Sequence, residues 1–284
     1  MRTLAEFILR GRTQATMVAV IAAAIPLLFW LSAATVALVT LRKGAQTGAG
    51  LLLWAALPAL GWWMVRQDPQ IMIVLVMAWS MAAVLRSTVS WVNTLFGGVA
   101  LAVVVSFLLP VLVPEVQEEL ATAFADASRS ISPDKVEQLG DRLDMVLSSL
   151  VAGAFAASHL LLTILSLMLA RWWQSVLFNP GGFGQEFHEL RMPPLYAAVA
   201  LIVLLVGPVV HLGALGIAPI VLVPLMIAGF ALVHGIVAKR GMGVQWLFAF
   251  YAVAIFMGPS TVFLLMVVAV IDSWFNFRGR VSKQ

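Results

Sequence analysis

Cysteine is absent from this 284-residue chain. That excludes disulfides, thiolate catalysis and cysteine-ligated metal, and it leaves the redox compartment open. Charge is scarce too. Only 11% of the residues are Asp, Glu, Lys or Arg and 62% are apolar, where a soluble domain carries about 25% and about 45–50%. The mean hydropathy is +1.01. A chain this apolar cannot hide its surface against itself, so lipid must be its solvent. No His-Glu-x-x-His, Gly-x-Ser-x-Gly or phosphate-loop motif occurs. Gly181-Gly182-x-Gly184 follows no strand pattern and carries no nucleotide signal. No repeat is evident at a spacing of about 20–50 residues. No acid or base lies at the centre of an apolar run, which argues against a proton-coupled pump or a charged pore. Enzymatic activity, a cofactor and a metal are therefore not expected.

What the chain does contain begins with a modest positive charge. The formal net charge is +4 and the isoelectric point about 10.0. The bases sit in short loops, where the positive-inside bias accounts for them, so nucleic acid is not an expected partner. Arg2, Arg10 and Arg12 surround a helical face of Leu4, Phe7 and Ile8. This start reads as a surface helix or as a cap on the first span. The apolar run after it continues past residues 22–26 and reads as a retained span rather than a cleaved signal.

Residues 16–41 are apolar with Pro26 inside, which fits one kinked helix or a hairpin of two short ones. Arg42-Lys43 and residues 44–50 read as a loop. Apolar blocks follow at 51–65, 71–85 and 92–113, joined by an Arg66-Gln67-Asp68-Pro69 turn and a polar link at 86–93. Residues 114–144 hold eight of the 13 acids against three bases, a net −5. A short helix before 121–127, a turn near Ser130 and a second helix capped at Ser132 or Asp134 are predicted there. Further spans fall at 145–169, at 195–210 with a Gly207-Pro208 break, at 216–237, and at 244–271 with Gly258-Pro259-Ser260 in the middle.

The fold class is thus all-α: one polytopic transmembrane bundle over residues 1–284, with about 8–10 hydrophobic segments, some short or broken at Pro26 and Pro259. Residues 114–144 form an acidic helical insertion. With ten crossings, nearly all basic loops fall inside and the acidic segment outside. With eight, the acidic segment falls inside, against the charge bias. Ten crossings need some of only about 11–15 residues, short against a core of about 30 Å. Protein shielding tolerates such half-length helices.

Three sets of residues could carry function. The first is the polar island between two spans. Asn179-Pro180-Gly181-Gly182 forces a turn. Phe183, Phe187 and Leu190 then form one face of a short interfacial helix that stops at Pro193-Pro194, with Trp172 and Trp173 as interface anchors. Glu186, His188, Glu189 and Arg191 make this loop a candidate ligand or docking surface, or simply an elbow between spans. The second set is the end of the chain, where Asp272 precedes Arg278 and Arg280 at an aromatic boundary. The third lies within spans. His159, His211 and His234 are intramembrane polar groups, and Ser260 sits at a helix break where freed N–H groups can meet a ligand. With Trp246 and Tyr251, these four would line a cavity among the late spans.

Two stretches carry a resemblance. Asn179-Pro180-Gly181-Gly182-Phe183 with Glu186-Phe187 and Leu190-Arg191, and the ending Asp272-Ser273-Trp274-Phe275-Asn276-Phe277-Arg278, resemble the YybS-like family of bacterial inner-membrane proteins. That family is distantly similar to the substrate-binding subunits of energy-coupling-factor vitamin transporters. The resemblance implies a multi-pass protein of the bacterial inner membrane that captures a small molecule and borrows its motor. The competing expectation is a non-transporting scaffold docking through residues 178–193. Expected partners are the lipid bilayer and a membrane or cytoplasmic protein.

Overall fold

The computed structural model describes residues 1–131 and 142–280. Its elements are helical: α1 Arg2–Arg10, α2 Arg12–Ala24, α3 Phe29–Lys43, α4 Ala45–Arg66, α5 Gln70–Thr88, α6 Trp91–Leu112, α7 Pro114–Ile131, α8 Arg142–Phe178, α9 Gly182–Glu189, α10 Pro194–Leu205, α11 Gly207–Val210, α12 Ala218–Lys239, α13 Gln245–Met257, α14 Pro259–Phe275 and α15 Phe277–Arg280. Six helices are long and apolar enough to span a membrane, and the α9–α11 and α13–α14 pairs raise this to eight if each bent pair is one span. The protein is an all-α multi-pass membrane bundle.

The first break is a reversal. The Ser32 hydroxyl donates to the Ala19 carbonyl at 2.7 Å, a contact that residues 13 apart on one helix, about 20 Å in rise, could not make. Residues 16–41 are therefore two short helices folded at Pro26. The later break also turns sharply: α13 and α14 meet at Gly258 with a 119° bend. Gly258 has φ +56, a value that suits glycine.

Several boundaries differ from the sequence reading. Residues 44–50 are not a loop. Only Gly44, at φ +103, separates α3 from α4. Ala45 onward is acceptable helix sequence, and a Cβ on Gly48 would lie 1.9 Å from the Thr40 hydroxyl, so the missing side chain lets α4 lie directly on α3. α7 runs unbroken through Ser130 to Ile131, so no turn falls at Ser130 itself. The Ser132 and Asp134 caps fall outside the described residues. The Arg66–Pro69 turn is present, with Gln67 left-handed and Asp68 accepting the Gln70 N–H at 2.9 Å.

α8 is the central element, touching α3, α5, α6, α7 and α12. Its 37 residues give a rod of about 55 Å, longer than a hydrocarbon core of about 30 Å. Trp173 near its end is fully buried and so is not an interface anchor, whereas Trp172 is exposed. Where neighbours come very close, glycine allows it: a Cβ on Gly153 would sit 1.8 Å from the Gly216 carbonyl oxygen.

The connections gather at two ends. At one end the Arg42 guanidinium lies 3.9 Å from the Phe178 ring centroid and Arg86 donates to the Leu41 carbonyl. The 179–193 island and the close of the chain join this end. At the other end, Pro26 and Trp62 share a crevice with Arg66, Asp68 and Gln70, and Trp62 donates to the Ala24 carbonyl at 3.1 Å.

Candidate functional site

The island is built from its turn outward. Gly181 adopts φ +86, which Asn179-Pro180 leads into. The Ser175 hydroxyl donates to the Asn179 carbonyl at 2.7 Å and accepts the Phe183 N–H at 3.1 Å. One side chain thus fastens both edges of the turn to α8. A Cβ on Gly182 would meet the Asn179 amide at 2.3 Å, so the second glycine is steric. The helix then runs to Glu189, and Leu190 is already extended. It ends before Leu190, four residues ahead of the prolines, although Leu190 is still buried.

Glu186 is held on α9 by distant partners. Arg171 Nε donates to Glu186 Oε2 at 3.0 Å, and its Nη2 donates to Oε1. The Trp91 indole N–H donates to the same carboxylate at 3.0 Å. Burial acts to raise the Glu186 pKa, but the Arg171 and Trp91 hydrogen bonds and the Arg171 charge outweigh it and hold the carboxyl below its ordinary value. Glu186 is therefore a bracket between α6, α8 and α9. The Phe face packs inward: Phe183 tilts on Trp91 at 6.1 Å, stacks with Phe187 at 6.0 Å, and Phe187 meets His234 edge-on at 5.4 Å.

The island and the chain end, far apart in sequence, meet. Arg278 Nη1 donates to the His188 carbonyl at 2.7 Å, satisfying an orphan acceptor at the end of α9. Its Nη2 pairs with Asp272 at 3.2 Å; the two side chains are 11% and 2% exposed. Asp272 also accepts the Phe277 N–H at 2.7 Å, and the Lys239 ammonium donates to the Arg278 carbonyl. A Cβ on Gly235 would lie 2.6 Å from the His188 carbonyl oxygen, so α12 reaches α9 only because that residue is glycine. Asp272 and Arg278 thus join α14, α9 and α12.

Between these elements lies a cleft of about 630 Å³ lined by Gln185, His188, Glu189, Arg191, Lys239 and Arg278 among others. Arg278 is committed to Asp272 and His188; Arg191 and Lys239, the latter bonded only to the Arg278 carbonyl, have no acidic ion-pair partner among the described residues and face the single lining acid Glu189. Burial first, then the neighbouring His234 and Arg278 charges, hold His188 below its ordinary pKa and favour the neutral ring. The volume falls within the range of about 300–1,000 Å³ typical of ligand sites, and most of the lining side chains are polar or charged, their stems supplying apolar surface. Such a surface suits an anionic group. Among the described residues no cluster of three or more His, Asp or Glu could hold a metal.

The six residues expected to line a late-span cavity are only partly brought together. His234 and Tyr251 meet, with the Tyr251 hydroxyl 3.4 Å from His234 Nε2, and Phe230 stacks on Tyr251 at 6.1 Å. His234 Nδ1 donates to the Phe230 carbonyl at 2.9 Å. His159 is buried in α8, stacked 4.0 Å from the Phe155 ring, with Nδ1 bonded to the Phe155 carbonyl at 2.6 Å. It lies 12 residues before Arg171, about 18 Å down the rod. His211 is an exposed residue at the opposite end of α12 from His234, and Trp246 and Ser260 are exposed on α13 and at the start of α14. Sequence reasoning missed Trp91, Arg171, Gly235 and Lys239. Arg171 and Lys239 were visible as loop bases; nothing in the sequence linked Trp91 to Glu186.

Neither a family model, a curated protein nor a solved structure matches the chain in comparison. The YybS-like resemblance is carried by the quoted residues alone.

Proposed function

We propose that this protein is a membrane-embedded docking subunit of a bacterial inner membrane, with the island end of the bundle in the cytoplasm. The observation that carries the reading is the cleft where the 179–193 island, the end of α12 and the close of the chain meet. Its available cations, Arg191 and Lys239, fit an acidic segment of a partner protein. Charge supports the orientation. Arg42, Lys43, Arg86, Arg171, Arg191, Lys239 and Arg278 gather at this end, while Glu115, Glu118, Glu119 and Asp126 lie on α7. The role is non-catalytic and fits the YybS-like resemblance, in which the chain works with other proteins.

A photo-crosslinking residue at Gln185 in the full-length protein tests this in cells. We expect a crosslinked partner that disappears in the Arg191→Glu/Lys239→Glu double variant, with the melting temperature retained. Crosslinking that survives the reversal would rule out charge-guided docking at the cleft. Reporter fusions at residues 130 and 284 test the sidedness, and an external C-terminus would defeat it.

One contact favours a second reading, capture of a small molecule in the manner of energy-coupling-factor binding subunits. His234 and Tyr251 present a hydrogen-bonded pair beside Phe230 and Phe250. A melting shift with one member of a vitamin and metabolite panel, lost on His234→Ala, supports this reading over docking.

A further inference from the structure

A second cavity lies away from the island, between α2, α3 and α4. It measures about 270 Å³, and its lining includes Arg12, Lys43, Thr47, Gly50, Leu51 and Trp54. Its chemistry is ordered by depth. Arg12 opens α2 and Lys43 closes α3, so both cations stand at the rim, and Thr47 lies in the first turn of α4 beside them. Further down α4 the lining becomes apolar. Trp54 is seven residues, or about 10 Å, deeper than Thr47. Leu51 is buried, whereas Trp54 is 57% exposed and faces outward.

The cations are not neutralised from within. Among the described residues neither Arg12 nor Lys43 has an acidic ion-pair partner, and no acid lines the cavity. Gly50 faces open space: a Cβ there would meet no atom within 4 Å. Glycine in mid-helix costs about 1 kcal/mol against alanine, and no neighbour's approach requires it here, unlike at Gly48.

We propose that this groove binds an anionic phospholipid. Its phosphate sits between Arg12 and Lys43, and its glycerol and upper acyl chain lie over Gly50 along Leu51 and Trp54. A basic rim at the headgroup level above an apolar floor matches the order of groups along such a lipid. A soluble anion would use the rim and leave the floor wet. An acidic peptide would not match the apolar depth.

Native mass spectrometry of the detergent-purified full chain tests the site. The probes are dioleoyl phosphatidylglycerol, dioleoyl phosphatidylcholine and inorganic phosphate. Phosphatidylglycerol is expected to bind about thirtyfold more tightly than phosphatidylcholine, as two unpaired surface cations imply, and to survive millimolar phosphate. Arg12→Gln/Lys43→Gln should remove that preference. Gly50→Leu should block binding with both charges in place. Gly61→Leu is the matched control, because Gly61 is also open but lies on α4 outside the groove; it should bind as the parent does. Equal binding of the two lipids, retention by Gly50→Leu, or equal loss in Gly61→Leu would overturn the site. Displacement of the lipid by phosphate would overturn the lipid as its occupant.

Discussion

α3 and α13 are both short apolar helices joined to a neighbour at a proline turn, yet they end in opposite surroundings. Residues 32 to 41 of α3 are all buried, while α13 has no buried residue and its Phe256 is 93% exposed. Hydropathy alone would predict the reverse, since α13 is the more apolar of the two. Side-chain size separates them. The buried part of α3 is Ser-Ala-Ala-Thr-Val-Ala-Leu-Val-Thr-Leu, more than half of it Ser, Ala or Thr, with Gly48 and Ala19 opposite; α13 carries Trp246, Phe248, Phe250, Tyr251 and Phe256. Lipid tails are as apolar as leucine, so hydrophobicity gives helices no reason to meet. Small residues that let backbones approach, and hydroxyls that bond across, provide that reason. The late region adds to this a set of polar bonds at one end: α12 still approaches α14 at Gly229, where a Cβ would lie 2.6 Å from the Leu265 carbonyl oxygen.

The comparison can be broken where those polar bonds concentrate. Arg278→Met leaves the Asp272 carboxylate buried without its partner, and should lower stability by about 3–5 kcal/mol, as such losses do. Adding Asp272→Asn should recover much of it, by thermal unfolding monitored on size exclusion. A single variant as stable as the parent would mean that the late helices do not depend on this pair.

A smaller effect sharpens the other half. Gly48→Leu forces α4 off Thr40 and should cost about 1–3 kcal/mol as overpacking. Phe256→Leu on α13, an exposed site, should stay within about 0.5 kcal/mol. Equal melting shifts for the two would contradict the size rule.

The smallest effect concerns pH. The folded Glu186 carboxyl titrates below its ordinary value, so the unfolded chain takes up the proton first as pH falls. The stabilisation is complete above the ordinary carboxylate range and fades as pH drops through the lower folded value. The melting gap between parent and Glu186→Gln should therefore hold from pH 7 down to the ordinary carboxylate range and narrow only as pH falls below it. A gap that does not narrow below that range would argue against the Arg171–Glu186–Trp91 bracket.

Much of the fold could be read from the chain because each feature was local. Pro26 and Gly258-Pro259 are breaks, Asn179-Pro180-Gly181-Gly182 is a turn, and the apolar runs are helices. The errors were local too. Residues 44–50 looked like a loop from their glycines, but Gly48 is there for a neighbour. The site was half legible. Glu186, His188, Arg191, Asp272 and Arg278 were singled out, but as two separate features. Their union depends on contacts 90 residues apart, such as Arg278 with the His188 carbonyl, and on Gly235, which no periodicity marks. The late-span cavity gathered residues by chemical type alone, and type does not report which end of a helix faces which.

The hairpin at Pro26 has a consequence for the membrane itself. At 13 residues, α2 rises about 20 Å, some 10 Å less than a typical hydrocarbon layer. Leu27 at its tip is 85% exposed and needs an apolar neighbour. Pro26 shares a crevice with Arg66, Asp68 and Gln70, so the tip lies level with a polar turn and Leu27 stands where acyl chains meet headgroups. A hairpin this short matches a thin hydrocarbon layer with less mismatch than a thick one, so the protein should partition into thin bilayers ahead of thick ones.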